Sequence, residues 1–445
     1  MARRLLAWAA ALLLAVPAGA AVMPLQEAGV VVRVDGDAFP QASVDTMLRF
    51  ARLKQPQSTL QQVLDAMIVN RLLAGYGRSQ LSAAQLFPNT GVAFARDVAL
   101  DDQLVGLLRA VYGKELEQAL AALPGGGIGA LIVAQPALQP QQLAAVFGDS
   151  RRLQLLYQLQ PPQQAAARAV PVLQYRLPAG SGGSISLFDL YRRQNVQGRV
   201  EFHNRNLAFI GQQARLYLGS LYLLEWAEAR LGKAALAHLR RTLDDQDHVQ
   251  AMLQYYGVGA DMHYDSQYLK QLAASVTAPE IRSYYSAHRD EFRRIERVRA
   301  RHIRLPDEAS ARRVYAELQQ GGDFRQLARR HSLAADRRKG GDLGWIRHRA
   351  NLDWLAQLAY AQEPGEPAPP VRMPAPPDAA TPWEIVLVEQ RIDGYQPPDS
   401  DSVRYAAAQA IAQAKAVAEF KSLRERLLRN ARIEIGAGLN RAGAS

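Results

Sequence analysis

The stretch from Arg299 to Gly344 is the part of this sequence most informative about chemistry. It opens with the run Arg299-Ala300-Arg301-His302-Ile303-Arg304-Leu305, and two further runs follow at close spacing. One is Gly321-Gly322-Asp323-Phe324 leading on to Arg330-His331-Ser332; the other is Lys339-Gly340-Gly341-Asp342-Leu343-Gly344-Trp345. Other chemistries are poorly served. The chain has no Cys, which excludes thiolate nucleophiles, Cys-metal sites and disulfides together. Its 8 His residues are scattered, without a His-Glu-x-x-His helix or paired-ligand spacing, and no G-x-S-x-G elbow occurs. The run Pro124-Gly125-Gly126-Gly127 lacks the Lys-Ser/Thr of a phosphate loop and reads as a connection, as does Pro161-Pro162. Asp101-Asp102 and Asp244-Asp245 read as helix-surface charges.

The elements around His302 alternate as strand, helix, helix, loop, strand, helix and two strands. Residues 298–305 give the first strand and 307–319 a helix; Asp323 caps a second helix running to His331. Gly340-Gly341 bring the chain tightly round to Asp342-Leu343-Gly344-Trp345, and later strands fall at 370–373 and 383–389. Upstream, Thr277-Ala278-Pro279-Glu280 is a helix start with a capping box.

These three runs and their order resemble the core of the parvulin family of peptidyl-prolyl isomerases, whose fold is a small sheet packed by helices (βα3βαβ2). The resemblance implies catalysis of rotation about X-Pro bonds. That barrier is roughly 18–20 kcal/mol, with uncatalysed times of tens to hundreds of seconds. A catalyst must hold the proline ring in an apolar pocket, exclude water and favour the twisted amide, and it needs no cofactor, metal or covalent intermediate. By resemblance, His302 takes the place of the family's first-strand active-site histidine and Leu343 that of the pocket leucine. Leu355 or its neighbour Trp354 falls where a proline-contacting aromatic lies, and Tyr360 at the pocket edge. Two positions depart from the pattern. Ala334 stands where the family has Asp or Cys, and Pro382-Trp383-Glu384 where it has glycine, an aromatic and histidine. Trp383 is then a substrate-contacting candidate. Glu384, if it faces His302, is expected to orient the imidazole and raise its pKa.

The rest of the chain sets the context. Its 445 residues suggest two to four units, each with its own core. Arg3-Arg4, an apolar run from Leu5 to Val16 and Ala18-Gly19-Ala20 read as an export signal over 1–20, too short for the roughly 20 apolar residues of a membrane span. The expected compartment is the periplasm, with no transmembrane anchor. A strand near 30–34, a helix at 43–53 and a helix from Thr59 to Tyr76 stopped by Gly77 resemble the N-terminal segment of SurA-type periplasmic chaperones. Long helices are expected through 186–275. A polar linker at 396–399 precedes an Ala-rich C-terminal helix with the seam Val417, Phe420, Leu423 and Leu427. The resemblance implies that this helix returns to the N-terminal module. The expectation is therefore an α+β chain, mostly α: a helical chaperone-like region at 21–290, a parvulin-like domain at 296–394 and a docking helix at 396–435.

The formal charge of +11 concentrates in the parvulin-like part and reads mainly as an Arg-rich solvated face. No basic stretch is interleaved with aromatics as a base-stacking surface would be, so nucleic acid is not an expected partner. The expected partners are unfolded or extended proline-containing polypeptides. The alternative is a non-catalytic chaperone, or an accessory module of an envelope assembly or export system, that keeps the parvulin fold for peptide binding.

Overall fold

The computed structural model describes residues 22–88, 95–148, 157–259, 266–376 and 381–436. The export signal expected over 1–20 lies outside these residues. The chain is mostly helical and divides into two compact units, 1–269 together with 415–445, and 270–414.

The first unit opens with β1 (Val22–Leu25), β2 (Val30–Val34) and β3 (Asp37–Pro40). The helix Leu60–Gln80 starts at a capping box between Thr59 and Gln62. Its stripe of Val63, Leu64, Met67, Ile68 and Leu73 is buried as the spacing requires. Gly77 does not stop it. The glycine makes room for a neighbour: a Cβ there would meet Met252 Sδ at 2.6 Å, so this helix and Lys233–Tyr255 pack closely because the side chain is missing. Between the same two helices Arg71 Nε donates to Asp245 Oδ2 at 2.6 Å and Arg78 to Asp245 Oδ1 at 2.7 Å. Asp245, expected at the surface, is 1% exposed and holds two guanidinium groups across a helix pair.

A second core in this unit surrounds a three-stranded sheet of β4 (Ile132–Ala134), β5 (Pro171–Arg176) and β6 (Gly182–Ser186), where the sequence reading placed no strands. Pro161-Pro162 open the helix Pro161–Arg168 rather than making a loop, since a first helical turn does not need their missing N–H groups.

The second unit contains β7 (Arg293–Leu305), β8 (Asp342–Arg347), β9 (Val371–Arg372) and β10 (Trp383–Tyr395), which form an antiparallel sheet in the order β8-β7-β10-β9. The expected capping box at Thr277 and Glu280 starts the helix Ala278–Ala287, and Asp323 caps Phe324–His331. Alternation along the strands sends side chains to two faces. Ile303, Leu305 and Ile385 pack against Val314, Leu318, Phe324 and Leu327 on one face. Val298, Ala300, Val386 and Val388 form a separate core with Leu343, Ile346, Leu355 and Tyr360.

The C-terminal helix Asp401–Asn430 begins in the second unit, where Val403 and Ala407 pack with Phe292. Its last turns place Phe420, Leu423 and Leu428 in the N-terminal core; Val417 and Leu427 of the expected seam are half-buried. β11 (Ile433–Gly436) then inserts between β1 and β2, parallel to the first and antiparallel to the second.

Candidate active site

His302 sits on β7 opposite Val386, and Arg304 opposite Glu384. With a side-chain period of two, His302, Arg304, Glu384 and Val386 share one face, the face of the core containing Leu343 and Leu355. A tight turn brings the next part of the chain against this strand. Gly341 has φ +68°, and a Cβ there would lie 2.0 Å from the carbonyl oxygen of His302. Only glycine fits that approach, which lets the His302 N–H donate to the Gly341 carbonyl at 2.9 Å. Arg301, 4% exposed, fastens the same turn by donating to the carbonyls of Lys339 and Gly340 at 3.2 Å each. Buried Ser332 accepts from the backbone N–H groups of Arg304 and Ala334, both at 3.1 Å.

The imidazole is 3% exposed and is held at both nitrogens. Nδ1 lies 2.8 Å from Glu384 Oε2, and Nε2 lies 2.9 Å from Asp336 Oδ2. Glu384 is fully buried, and its second oxygen accepts from Arg304 Nε at 2.5 Å. Ionised carboxylates only accept, whereas a neutral imidazole has one donor and one acceptor nitrogen. The arrangement therefore fits an imidazolium donating in both directions. Burial works against the charged ring, but the hydrogen bond and charge of Glu384, joined by Asp336, outweigh it and hold the His302 pKa above its ordinary 6.5.

Beside this cluster lies a cleft of about 460 Å³ lined by Leu343, Ile346, Leu355 and Ala356, with Trp345, Arg347, Arg349 and Asp353 at its sides. Its position follows from the helix Trp354–Tyr360, capped by Asp353 accepting from the Ala356 N–H at 2.9 Å. Leu343 and Leu355 therefore meet at the cleft, as the sequence reading places them. Trp354 does not join them; it lies outside that lining, half-buried at the start of the helix. Tyr360 packs behind the cleft, where its hydroxyl donates to the Ile346 carbonyl at 3.0 Å. Trp383 is not a pocket residue. Strand alternation turns it, with Ile385 and Leu387, to the opposite face against Ile303 and Leu305.

Asp336 escaped the sequence reading. Ala334, at the family's acidic position, is a buried alanine as the sequence requires, but the 3-10 turn Ala335–Lys339 brings a carboxylate from two residues further on. An acid is thus present after all at the ring's Nε2. The available signal was an Asp within the loop that the glycine pair folds back on His302. Pro377 and Asp378 of the Pro-rich turn before β10 lie outside the described residues.

Comparison with known proteins locates the similarity in this unit. Residues 304–390 match the family model described as a Rotamase, PPIC-type PPIASE domain. A Foldase protein PrsA from Caldanaerobacter subterraneus subsp. tengcongensis is 35% identical over 108 residues, 24% of this chain and 34% of the relative. A Chaperone SurA from Nitrosospira multiformis is 34% identical over 149 residues, 32% of each chain. The chain thus spans about a third of the length of these curated relatives. Among solved structures, a PpiC-type peptidyl-prolyl cis-trans isomerase domain is 29% identical over 23% of this chain and 97% of its own, with a TM-score of 0.19. A SurA-like chaperone of Campylobacter jejuni is 20% identical over 51% of this chain and 83% of its own, with a TM-score of 0.21. The segment 304–390 belongs to the PPIC-type parvulin domains, homologous to those of the SurA chaperones and PrsA foldases.

Proposed function

We propose that the protein is an exported peptidyl-prolyl cis-trans isomerase and folding chaperone for envelope or secreted proteins, acting in the periplasm. The observation that carries this reading is the apolar cleft of Leu343, Ile346 and Leu355 on the same sheet face as the His302 cluster, within a PPIC-type domain. The proline ring enters the cleft and loses water, which favours the less polar twisted amide over the planar one. A hundredfold acceleration requires only about 2.7 kcal/mol of preference for the twisted state. His302 and Glu384 act here as positioning residues. With both ring nitrogens bonded to carboxylates, the imidazole fixes the 332–341 loop that carries Leu343 into the cleft. A protease-coupled prolyl assay tests the activity: acceleration that disappears in Leu343→Ala supports it, and a rate equal to the uncatalysed one overturns it.

A second reading is a chaperone that binds peptides without isomerising them, alone or as an accessory of an envelope-assembly system. It is favoured by the burial of the imidazole, which leaves no titratable ring nitrogen turned toward a substrate. Its mark is suppression of client aggregation that is undiminished in His302→Ala, together with no prolyl acceleration. A pull-down from envelope extract separates one stoichiometric partner from a broad client set.

A further inference from the structure

The cleft has a charged side that the isomerisation chemistry does not use. Trp345, at the edge strand β8, is 37% exposed and lines the cleft with Arg347. The guanidinium of Arg297 lies 4.6 Å from the centre of the Trp345 ring, and Arg297 and Arg347 are direct partners across β7 and β8. Like charges placed opposite on a sheet repel each other. Among the described residues no carboxylate pairs with either. Arg349 lies 3.9 Å from Asp353, so that acid is matched within the cleft. Further along the sheet, Glu389 is surrounded by three arginines, with Arg301 Nε at 2.7 Å and Arg299 and Arg325 both at 3.3 Å. Asp342 also lies 3.3 Å from Arg301, so two carboxylates share three cations there; although burial pushes the Glu389 pKa up, the hydrogen bonds from Arg301 and Arg325 hold it below the ordinary range. At the cleft itself the unmatched positive charge is that of Arg297 and Arg347.

We propose that Arg297, Trp345 and Arg347 form an acidic-segment subsite, so that the preferred polypeptides carry Asp or Glu alongside the proline. The inference rests on the proline-binding reading of the cleft and names its substrate class. A segment lying with its proline against Leu343 and Leu355 runs its neighbouring residues past Trp345 and Arg347, which line the same cleft. Carboxylates there relieve the repulsion between Arg297 and Arg347 and meet charges that no carboxylate among the described residues pairs. Partly exposed ion pairs of this kind contribute modestly and are screened by salt, so the selectivity is expected to be about three- to tenfold at low ionic strength.

The test uses the full chain and three fluorescent peptides of equal length: Asp/Glu residues around one proline, Ser/Gln residues around one proline, and the acidic peptide with proline replaced by alanine. Fluorescence anisotropy is expected to give about three- to tenfold tighter binding of the acidic proline peptide than of the neutral one. That ratio falls toward one in Arg297→Gln/Arg347→Gln and recovers in Arg297→Lys/Arg347→Lys, while far-UV circular dichroism and a urea midpoint matching the wild type show that the variants are folded. Equal binding of acidic and neutral peptides, or a preference that survives the double Gln variant, overturns the proposal. So does a single-stranded oligonucleotide that displaces the acidic peptide at lower concentration than unlabelled acidic peptide does, since it marks a general polyanion surface. If the alanine version of the acidic peptide binds as well as the proline version, acid selection stands and the proline reading of the cleft fails.

Discussion

At the scale of the residue, one imidazole, His302, is held between two acids, Glu384 and Asp336. His302 is a candidate from sequence because the runs around it, local in the chain, carry the resemblance to the parvulin core. The sequence also presented Glu384 with its register open. Asp336 was not legible, because the position that spacing indicates is Ala334, and only the 3-10 turn carries Asp336 to Nε2. The cluster has a pH signature with a definite sign. His302 has a folded pKa above 6.5, so its contribution to stability is fully present below about pH 6.5 and is lost as pH rises through the elevated folded value. Urea midpoints measured from pH 5.5 to 9 are expected to fall across that window in the wild type and to lack this fall in His302→Gln. In Glu384→Gln, NMR titration is expected to show the His302 pKa lowered, because its first charge partner is gone. An unchanged titration contradicts the assignment. Since Glu384 also takes Arg304, the same substitution leaves buried charge unmatched and is expected to cost about 3–5 kcal/mol in denaturant unfolding.

At the scale of the element, two glycines show what a linear reading resolves. Gly340-Gly341 are readable as a tight turn, and the structure supplies the reason for the second: its missing Cβ lets the loop touch the backbone of β7. Gly341→Ala is therefore expected to be strongly destabilising, by more than the roughly 1–3 kcal/mol of left-handed strain alone, with the largest NMR shift changes at His302 and Leu343. Gly77 reads as a stop in the sequence because glycine's low helix propensity is a local signal, whereas its contact with Met252 lies 175 positions away in sequence. Gly77→Ala adds helix propensity yet is expected to lower stability by about 1–3 kcal/mol through overpacking, a cost that shrinks when Met252 is shortened to Ala. β6 was missed for a similar reason. Its Gly182-Gly183-Ser184-Ile185-Ser186 lacks an alternating apolar pattern, and its pairing to β5 rather than its composition makes it a strand.

At the scale of the molecule, the last segment of the chain completes the first sheet. β11 separates β1 from β2, and Phe420, Leu423 and Leu428 enter the N-terminal core, so this unit is built from both ends of the sequence. Amphipathic spacing made the helix legible as one that must dock. The strand after it was not legible, because four residues with a single fully buried side chain, Ile433, carry little pattern. Deleting residues 432–445 is expected to abolish hydrogen-exchange protection in β2 while leaving that of β7 and β10 unchanged, since those strands belong to the other unit. Protection lost equally in both would contradict the division. Among the described residues no helix is long and apolar enough to cross a membrane.

The proposed function requires that the Leu343–Leu355 cleft bind proline and speed its isomerisation. Magnetisation-exchange NMR on a short X-Pro peptide measures both at once, through peptide shifts on binding and cis–trans exchange peaks. Exchange is expected to accelerate from the uncatalysed timescale of tens of seconds or longer into the range of about a second or less, with both the shifts and the acceleration lost in Leu343→Ala/Leu355→Ala. Exchange that stays at the uncatalysed rate with saturating wild-type protein, or acceleration that survives the double substitution, would contradict it.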